Sequence, residues 1–175
     1  MSVRILVTDD HPVVRAGLSG MLSGEPDFEV VGEAQNGKEA VAFVGELKPD
    51  VVLMDLRMPE MDGVTAIGRI KSDHPDVHIL VLTTYETDRD VLPAIKAGAT
   101  GYLLKDATQE ELFRAVGAAV RGESVLSPSV AARRLFISEA SVKAHLLHVY
   151  AKLGVNDRAA AVATAYDRGL LTPGG

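Results

Sequence analysis

The chain has 175 residues, contains neither cysteine nor tryptophan, and carries 18 Lys and Arg against 24 Asp and Glu, a formal net charge of −6. This length allows one large domain or one and a half small ones. Without cysteine the chain has no disulfide, no thiol nucleophile and no metal site with cysteine ligands. The sequence shows no long apolar run and no signal-like N-terminus, so we expect a cytoplasmic protein without membrane association.

The net charge is divided unevenly along the chain. Residues 1–125 hold 12 basic and 21 acidic side chains, a net charge of −9, whereas residues 126–175 hold 6 and 3, a net charge of +3. An acidic body with a basic C-terminal segment suggests two modules with different partners, and a polyanion is the natural partner of the basic module. Chance variation of surface charge is the alternative interpretation.

Five short apolar runs alternate with segments of helical periodicity over the first 120 residues. The third and fourth runs are almost entirely apolar, as expected of strands that helices cover on both faces of a parallel sheet. The predicted strands are Val3–Val7, Phe28–Val31, Val51–Met54, Val77–Leu82 and Gly101–Leu104, and the predicted helices span about 12–23, 36–47, 62–72, 88–97 and 108–120. This alternation predicts a five-stranded, doubly wound α/β domain with a parallel sheet.

The fourth predicted helix contains a proline. Pro93 has no backbone N–H to donate, and proline inside a helix costs about 3 kcal/mol. We therefore expect this helix to be kinked or marginal, and we hypothesise that it is unusually mobile.

The periodicity changes after Gly122, where the strand-like runs stop. Three helical segments follow at about 129–135, 139–153 and 157–168, with Ser138 as a cap before the second and Gly154 closing it. The sequence therefore predicts a domain at 1–122, a linker at 123–130 and a small all-α module at 131–175.

Polar residues follow four of the predicted strands. Because the carboxyl ends of parallel strands meet at one edge of a sheet, we expect these residues to share a crevice. Three carboxylates in one crevice repel one another and need a cation, and oxygen ligands suit Mg²⁺ or Mn²⁺. Acidic loop residues scattered over separate strand ends are the alternative. The residues are Asp9, Asp10, Asp55, Thr83, Thr84 and Lys105.

A metal in such a crevice would attract a phosphoryl donor and let a carboxylate attack phosphorus, which gives an aspartyl phosphate. Asp55 is the best candidate nucleophile because it ends the central strand. Thr83 could donate a hydrogen bond to one phosphoryl oxygen, and Lys105 could pair with another.

The order and spacing of these residues resemble a known family. Asp9-Asp10, the nine residues from Asp55 to Gly63 (DLRMPEMDG), the run Thr83-Thr84-Tyr85 and the run GYLLKD from Gly101 to Asp106 resemble the receiver domain of bacterial two-component response regulators. The resemblance covers residues 2–121. It implies a protein that accepts phosphate on its own aspartate and can catalyse its own phosphotransfer and dephosphorylation, rather than an enzyme with a separate substrate.

The resemblance also implies roles for individual residues. Asp55 accepts phosphate from a sensor histidine kinase. Asp10, Asp55 and the backbone carbonyl of Arg57 ligate Mg²⁺, and Asp9 assists through the hydration shell of the metal.

By the same resemblance, Thr83 and Tyr102 form a switch pair, in which the hydroxyl moves toward the phosphate while the ring turns inward. Lys105 holds the phosphoryl group. An ordinary half-buried strand aromatic is the alternative for Tyr102.

The basic segment contains a candidate helix-turn-helix. The segment from Arg133 to His145 is predicted to contain a helix end, a short turn and the start of a second helix. The apolar stripe of this second helix should face the core of the module. A solvated amphipathic helix in a small bundle is the alternative. Four residues of the second helix would then face base edges, namely Lys143, Ala144, Leu147 and His148, and four could hold phosphates, namely Ser138, Ser141, His145 and Lys152.

This segment, together with the chain up to Leu171, resembles the back part of the LuxR-type helix-turn-helix of the NarL/FixJ subfamily. The resemblance implies that the second helix reads double-stranded promoter DNA and that the last helix pairs two monomers into a homodimer. The sequence departs from the family in one respect: the first of four helices and much of the inter-domain linker have no counterpart.

The leading hypothesis is therefore a two-component response regulator whose phosphorylation controls DNA binding and transcription. The alternative keeps the phosphorylation switch but makes the C-terminal segment a dimerisation or protein-binding element that does not bind DNA. A metal-dependent phosphatase or a flavin site on the same fold is a third reading. This third interpretation is weak, because the sequence has no glycine-rich phosphate loop after the first strand and shows no separate general acid.

Overall fold

A computed structural model describes residues 1–84, 88–123, 125–126 and 154. The described residues up to 126 form a parallel sheet between two layers of helices. The strand order is β2-β1-β3-β4-β5-β6, which reverses direction next to β1 and is the doubly wound arrangement. The strands are β1 (Val3–Thr8), β2 (Phe28–Ala34), β3 (Val51–Asp55), β4 (His78–Thr83), β5 (Gly101–Leu104) and β6 (Val125–Leu126). The helices are α1 (Pro12–Ser23), α2 (Gly37–Leu47), α3 (Gly63–Asp73), α4 (Asp88–Ala97) and α5 (Gln109–Val120).

The sheet separates two apolar cores. The fully buried residues of β3 and β4 alternate between them, so that Val52 packs on one face and Leu53 on the other. α2, α3 and α4 contribute to the first core, for example through Ile67, and α1 and α5 contribute to the second, for example through Leu22. This confirms the predicted five-stranded, doubly wound class, because all five predicted strands form and both faces of the sheet are covered.

β2 is longer than predicted. The expected strand ended at Val31, before Gly32, but β2 continues to Ala34 across an irregularity in its pairing with β1. A Cβ on Gly32 would lie 2.6 Å from Leu47 Cδ1, so glycine here makes room for α2 rather than ending the strand.

A sixth strand, which the sequence analysis did not expect, lies at the edge of the sheet. β6 pairs in parallel with the start of β5, with Val125 opposite Gly101 and Leu126 opposite Tyr102. The five predicted strands are therefore extended by a two-residue strand at 125–126, inside the stretch expected to be a linker.

α4 runs through Pro93 as one helix over Asp88–Ala97. Proline removes the hydrogen bond that residue 93 would donate to the carbonyl four residues earlier, so α4 forms with one bond fewer than a regular helix of its length. The three predicted C-terminal helices lie outside the described residues. Gly154, which is described, has φ +69°, the left-handed backbone that glycine adopts most readily.

Candidate functional site

Three strand ends bring two carboxylates and an ammonium together. Asp9 follows β1, Asp55 is the last residue of β3 and Lys105 follows β5, so all three lie at the carboxyl edge of the sheet. Lys105 Nζ is 2.6 Å from Asp9 Oδ2 and 3.3 Å from Asp55 Oδ1. Asp9 is fully buried and Asp55 is 4 % exposed, so the ammonium joins two carboxylates that have left bulk water. The predicted crevice therefore forms.

Burial dominates the ionisation of Asp55. It raises the pKa of this carboxyl because the charged form loses water, and the nearby Asp9 carboxylate acts in the same direction. Lys105 and the backbone N–H of Leu56, which donates to Asp55 Oδ1 at 2.8 Å, act in the opposite direction and lower the pKa. The net shift is upward, so Asp55 holds its negative charge less readily than an exposed aspartate.

Lys105 shows the complementary behaviour. Burial lowers the pKa of its ammonium, but the hydrogen bond to Asp9 and the charges of Asp55 and Asp9 outweigh burial, and the net shift is upward. The ammonium therefore stays protonated while it contacts both carboxylates.

The loop after β3 folds back onto Asp55. The Gly63 N–H donates to the Leu56 carbonyl at 2.8 Å, and a Cβ on Gly63 would collide with the Asp55 carbonyl oxygen and lie 2.7 Å from Leu56 Cα. Glu60 has φ +63°, an unusual backbone for a residue other than glycine. The loop between β3 and α3 is therefore tight, and it depends on glycine at position 63.

The loop after β1 contains contacts that the sequence analysis missed. His11, which the sequence analysis did not include among the site residues, places its Nδ1 2.8 Å from Asp10 Oδ1 and 3.3 Å from Asp9 Oδ1. Arg15 on α1 donates from Nη1 to the Asp9 carbonyl at 2.7 Å and lies 3.5 Å from Glu33 on β2. The adjacency of His11 to the acidic pair was a usable signal, whereas the Arg15 contact depends on how α1 packs.

The charge of the crevice fits a divalent cation. The crevice and its rim hold three carboxyl groups, Asp9, Asp10 and Asp55, and one ammonium, Lys105, so acidic side chains outnumber lysines there. Asp9 Oδ2 and Asp10 Oδ1 are buried oxygens, which lie 2.6 Å from Lys105 Nζ and 2.8 Å from His11 Nδ1 respectively. Asp9, Asp10 and His11 also place one ligand atom each within 4.8 Å of the others. Such an oxygen-rich set suits Mg²⁺ or Mn²⁺.

The remaining predicted residues of this domain lie at the same edge of the sheet or close to it. Thr83 ends β4 and is 1 % exposed, and its hydroxyl donates to the Thr84 carbonyl at 2.8 Å. Arg57 lies in the loop that follows Asp55. Tyr102 on β5 is 2 % exposed and packs in the core on the α2, α3 and α4 side, so it is buried more fully than a half-buried strand aromatic.

The eight residues predicted to contact DNA lie outside the described residues. They are Ser138, Ser141, Lys143, Ala144, His145, Leu147, His148 and Lys152. Within the described part of the chain, no helix is long and apolar enough to cross a membrane.

Two families match the chain in sequence. The family described as response regulator receiver domain matches residues 5–117, and the family described as bacterial regulatory proteins, luxR family, matches residues 127–165. The two matches divide the chain close to where its charge and periodicity change.

Individual proteins match over nearly the whole chain. The transcriptional regulatory protein YdfI of Bacillus subtilis (strain 168) is 38 % identical over 209 aligned residues, which cover 97 % of this chain and 98 % of YdfI. The crystal structure of the response regulator ChrA of a heme-sensing two-component system is 39 % identical, with a TM-score of 0.65, and covers 97 % of this chain and 99 % of ChrA.

The receiver part matches separately and completely. The signal receiver domain of NarL from Mycobacterium tuberculosis, described as a putative response regulator, is 37 % identical, with a TM-score of 0.66, and the match covers 70 % of this chain and 98 % of that domain. The alignment with YdfI spans 209 positions and this chain has 175 residues, so at least 34 positions lie opposite no residue of this chain. Because the receiver domain is matched almost end to end, the shortfall lies mainly after it.

Proposed function

Because the chain belongs to the two-component response regulators that join a receiver domain to a LuxR-type DNA-binding domain, we propose that it is switched by phosphorylation of Asp55 by a sensor histidine kinase. The observation that carries this proposal is the buried arrangement of Asp9, Asp55 and Lys105 at the carboxyl edge of the sheet. A carboxylate held beside an ammonium in a water-poor crevice is prepared to receive a phosphoryl group.

The phosphotransfer step uses Oδ2 of Asp55, the oxygen other than the one to which the Leu56 N–H donates. Oδ1 accepts the hydrogen bond from the Leu56 N–H and contacts Lys105, so Oδ2 attacks phosphorus. A P–O bond to Asp55 forms while the P–N bond to the histidine of the kinase breaks, and the electron pair of that bond returns to the imidazole. The attacking carboxylate must be ionised, and Lys105 helps to keep it so against the effect of burial.

Mg²⁺ or Mn²⁺, held by Asp10, Asp55 and the Arg57 carbonyl with Asp9 acting through bound water, would neutralise the phosphoryl oxygens when bound. The Gly63 N–H closes the loop after β3 on the Leu56 carbonyl, which supports the proposed use of the Arg57 carbonyl as a metal ligand. Arg15 fixes the other side of the site, because it binds the Asp9 carbonyl.

After transfer, Lys105 pairs with the phosphoryl group and the Thr83 hydroxyl turns from the Thr84 carbonyl to donate to a phosphoryl oxygen. Tyr102 packs inward in the structure, with 2 % of its surface exposed. We propose that the movement of the Thr83 hydroxyl toward the phosphate is coupled to this inward position of the Tyr102 ring.

The match of residues 127–165 to the luxR family supports DNA binding over a module that serves only dimerisation or protein binding. In this proposal the recognition helix presents Lys143, Ala144, Leu147 and His148 to base edges. The phosphate contacts come from Ser138, Ser141, His145 and Lys152. We further propose that the first helix of the LuxR-type module is absent and that two copies of the chain pair through the last helix. The protein acts in the cytoplasm in this proposal.

Incubation with Mg²⁺ and a small acyl phosphate tests the switch. We expect stoichiometric labelling that is stable in acid and labile in base, and that is lost in Asp55→Asn. Labelling that survives in Asp55→Asn would contradict the assignment of the phosphoacceptor. Multiple turnovers on small phosphate esters would instead indicate a phosphatase.

A further inference from the structure

An apolar pocket lies beside the candidate site, between α1 and the start of α5. Its closed end is formed by Leu82, Leu103 and Leu112, each of which is at most 3 % exposed, and α1 contributes Val14 and Met21 to its wall. The volume of the pocket is about 180 Å³. An apolar cavity of roughly 150 Å³ is large enough to hold benzene. The pocket therefore has room for a compact apolar group.

Gly17 forms the mouth of this pocket. It lines the pocket from α1 and is exposed, whereas the leucines at the closed end are buried. A Cβ built on Gly17 would meet nothing within 4 Å. The pocket thus opens at the surface beside Gly17, and a side chain at this position would have space to fill the opening.

Lys105 connects the pocket to the carboxylates of the crevice. Among the described residues that line the pocket, it alone carries a charge. Its Nζ lies 2.6 Å from Asp9 Oδ2 and 3.3 Å from Asp55 Oδ1, so one side chain borders the pocket and ends beside the candidate phosphoacceptor. A molecule that occupies both places has an anionic head and a short apolar tail.

An apolar tail solves a difficulty that an anionic donor meets at this site. The carboxyl groups of the crevice repel an anion, whereas burial of an apolar chain gives an attraction that does not depend on charge. Binding energy from a part of the substrate that does not react raises the rate when the donor is below saturation. The pocket can therefore favour donors that carry a tail of suitable size.

We propose that this pocket is an acyl subsite, which makes acyl phosphates with a short apolar chain better donors to Asp55 than acetyl phosphate. The inference rests on the proposed phosphorylation of Asp55. A bond forms between Asp55 Oδ2 and phosphorus while the bond between phosphorus and the acyl oxygen breaks, and the electron pair of that bond leaves with the carboxylate. The acyl chain lies in the pocket during this step, and the carboxylate leaves past Gly17.

The test compares acetyl phosphate with butyryl phosphate as donors to the full chain, with Mg²⁺ present and both donors well below saturation. The two donors share the same head and release alkyl carboxylates of similar basicity, so a difference in the rate of Asp55 labelling reports the tail. Butyryl phosphate carries two more CH₂ groups, and we expect their burial to make it faster by about tenfold.

Two variants change the size of the pocket in opposite directions. Gly17→Leu fills the mouth, and we expect the ratio of butyryl to acetyl labelling rates to fall to about 1. Met21→Ala enlarges the pocket, and we expect the ratio of hexanoyl to butyryl rates to rise at least about threefold above that of the wild type.

Gly68→Leu is the matched control for Gly17→Leu. Gly68 is exposed on α3, on the other side of the sheet, and a Cβ there also meets nothing within 4 Å. We expect this variant to keep both ratios of the wild type. A loss of stability alone would leave the ratios unchanged in any variant, because all donors react with the same folded fraction.

The outcomes separate the subsite from the switch. Equal rates of Asp55 labelling by acetyl and butyryl phosphate in the wild type would overturn the subsite while the phosphorylation switch stands. A wild-type ratio in Gly17→Leu would also overturn the subsite, and if that variant does not fold, an unchanged ratio of hexanoyl to butyryl rates in Met21→Ala would do so. No labelling of Asp55 by either donor would instead overturn the proposed function, on which the subsite depends.

Discussion

Lys105 is the residue whose charge allows two carboxylates to lie together away from water. It contacts Asp9 and Asp55, and Asp9 has no exposed surface through which water could replace the ammonium. The ion pair makes the site possible in the absence of a metal, and it also makes the folded state dependent on one side chain.

Replacement of Lys105 by Met should therefore destabilise the protein. Removing one partner of a buried pair leaves an uncompensated charge, and we expect a loss of roughly 3 kcal/mol in the free energy of unfolding. Mg²⁺ should restore more stability to Lys105→Met than to the wild type, because the added cation replaces the lost charge. Chemical denaturation with and without Mg²⁺ measures both effects.

Lys96→Met is the control for this substitution, because Lys96 is exposed on α4 and should tolerate the change. Equal stabilisation by Mg²⁺ of the wild type and Lys105→Met would show that Lys105 and the metal do not share the same carboxylates.

Replacement of Asp55 by Asn should have the opposite effect. Burial raises the pKa of Asp55, so the folded protein binds a proton at this carboxyl more tightly than the unfolded chain does. The ionised group thus disfavours folding above its folded pKa, and the penalty vanishes as the pH falls below the pKa of an exposed aspartate. We expect Asp55→Asn to raise Tm at neutral pH, by about 2–4 °C for each kcal/mol recovered.

Calorimetry in the absence of metal, at neutral pH and at about pH 3, measures this difference. The gain should be small at the lower pH, where the carboxyl is protonated in both folded and unfolded chains. An equal gain at the two pH values would mean that the substitution acts through packing rather than through charge.

At the scale of single elements, the loop after β3 depends on Gly63. A methyl group at this position would collide with the Asp55 carbonyl, which cannot move without displacing the end of β3. We expect Gly63→Ala to cost about 1–3 kcal/mol, the usual range for an overpacked position, and to reduce acyl phosphate labelling. Gly68→Ala on the same helix should be neutral or stabilising by up to about 1 kcal/mol, since alanine favours helix formation. Similar losses in both variants would refute the steric explanation.

α4 contains the second informative element, because it forms in spite of Pro93. Pro93→Ala restores a backbone donor, and we expect α4 to become more protected from hydrogen exchange in this variant. The hypothesis that α4 is unusually mobile would be wrong if its amides in the wild type were as protected as those of α2 and α3.

The sequence was sufficient to predict the elements whose signals are local. Alternating apolar runs identified β1 to β5, and the helix starts are visible in residues such as Thr108, which forms a capping box with Glu111. Asp9, Asp55 and Lys105 could be placed together because parallel strands end at one edge. Other features depend on packing that no local pattern encodes. β6 has only two residues and therefore no periodicity, and Arg15 reaches the Asp9 carbonyl only because α1 lies where it does.

At the scale of the whole molecule, the chain combines a complete receiver domain with a shortened C-terminal segment. At least 34 of the positions aligned with YdfI have no counterpart here, whereas the receiver domain from Mycobacterium tuberculosis is covered over 98 % of its length. The charge of −9 in residues 1–125 means that any attraction to DNA must come from the segment after them.

Binding to duplex DNA should therefore show the salt dependence of a small basic surface. We expect affinity to fall steeply as salt rises, and Lys143→Ala to weaken binding and reduce the slope of log K against log salt by about 1. A titration at several salt concentrations, with phosphorylated and unphosphorylated protein, measures this. No binding at low salt in either state would favour the alternative in which the C-terminal segment mediates only dimerisation or protein binding.

The excess of carboxyl groups over ammonium groups in the crevice has a consequence for the signal to which the protein can respond. A phosphoryl donor is itself an anion, so a crevice with this charge repels it until a divalent cation has entered. In the proposed mechanism the site would therefore respond only when a divalent cation is bound and a phosphoryl donor is present. By the same proposal, a fall in free divalent cation would abolish the response even with an active kinase. The cation concentration at which this happens would be set by the affinity of Asp10, Asp55 and the Arg57 carbonyl for the metal.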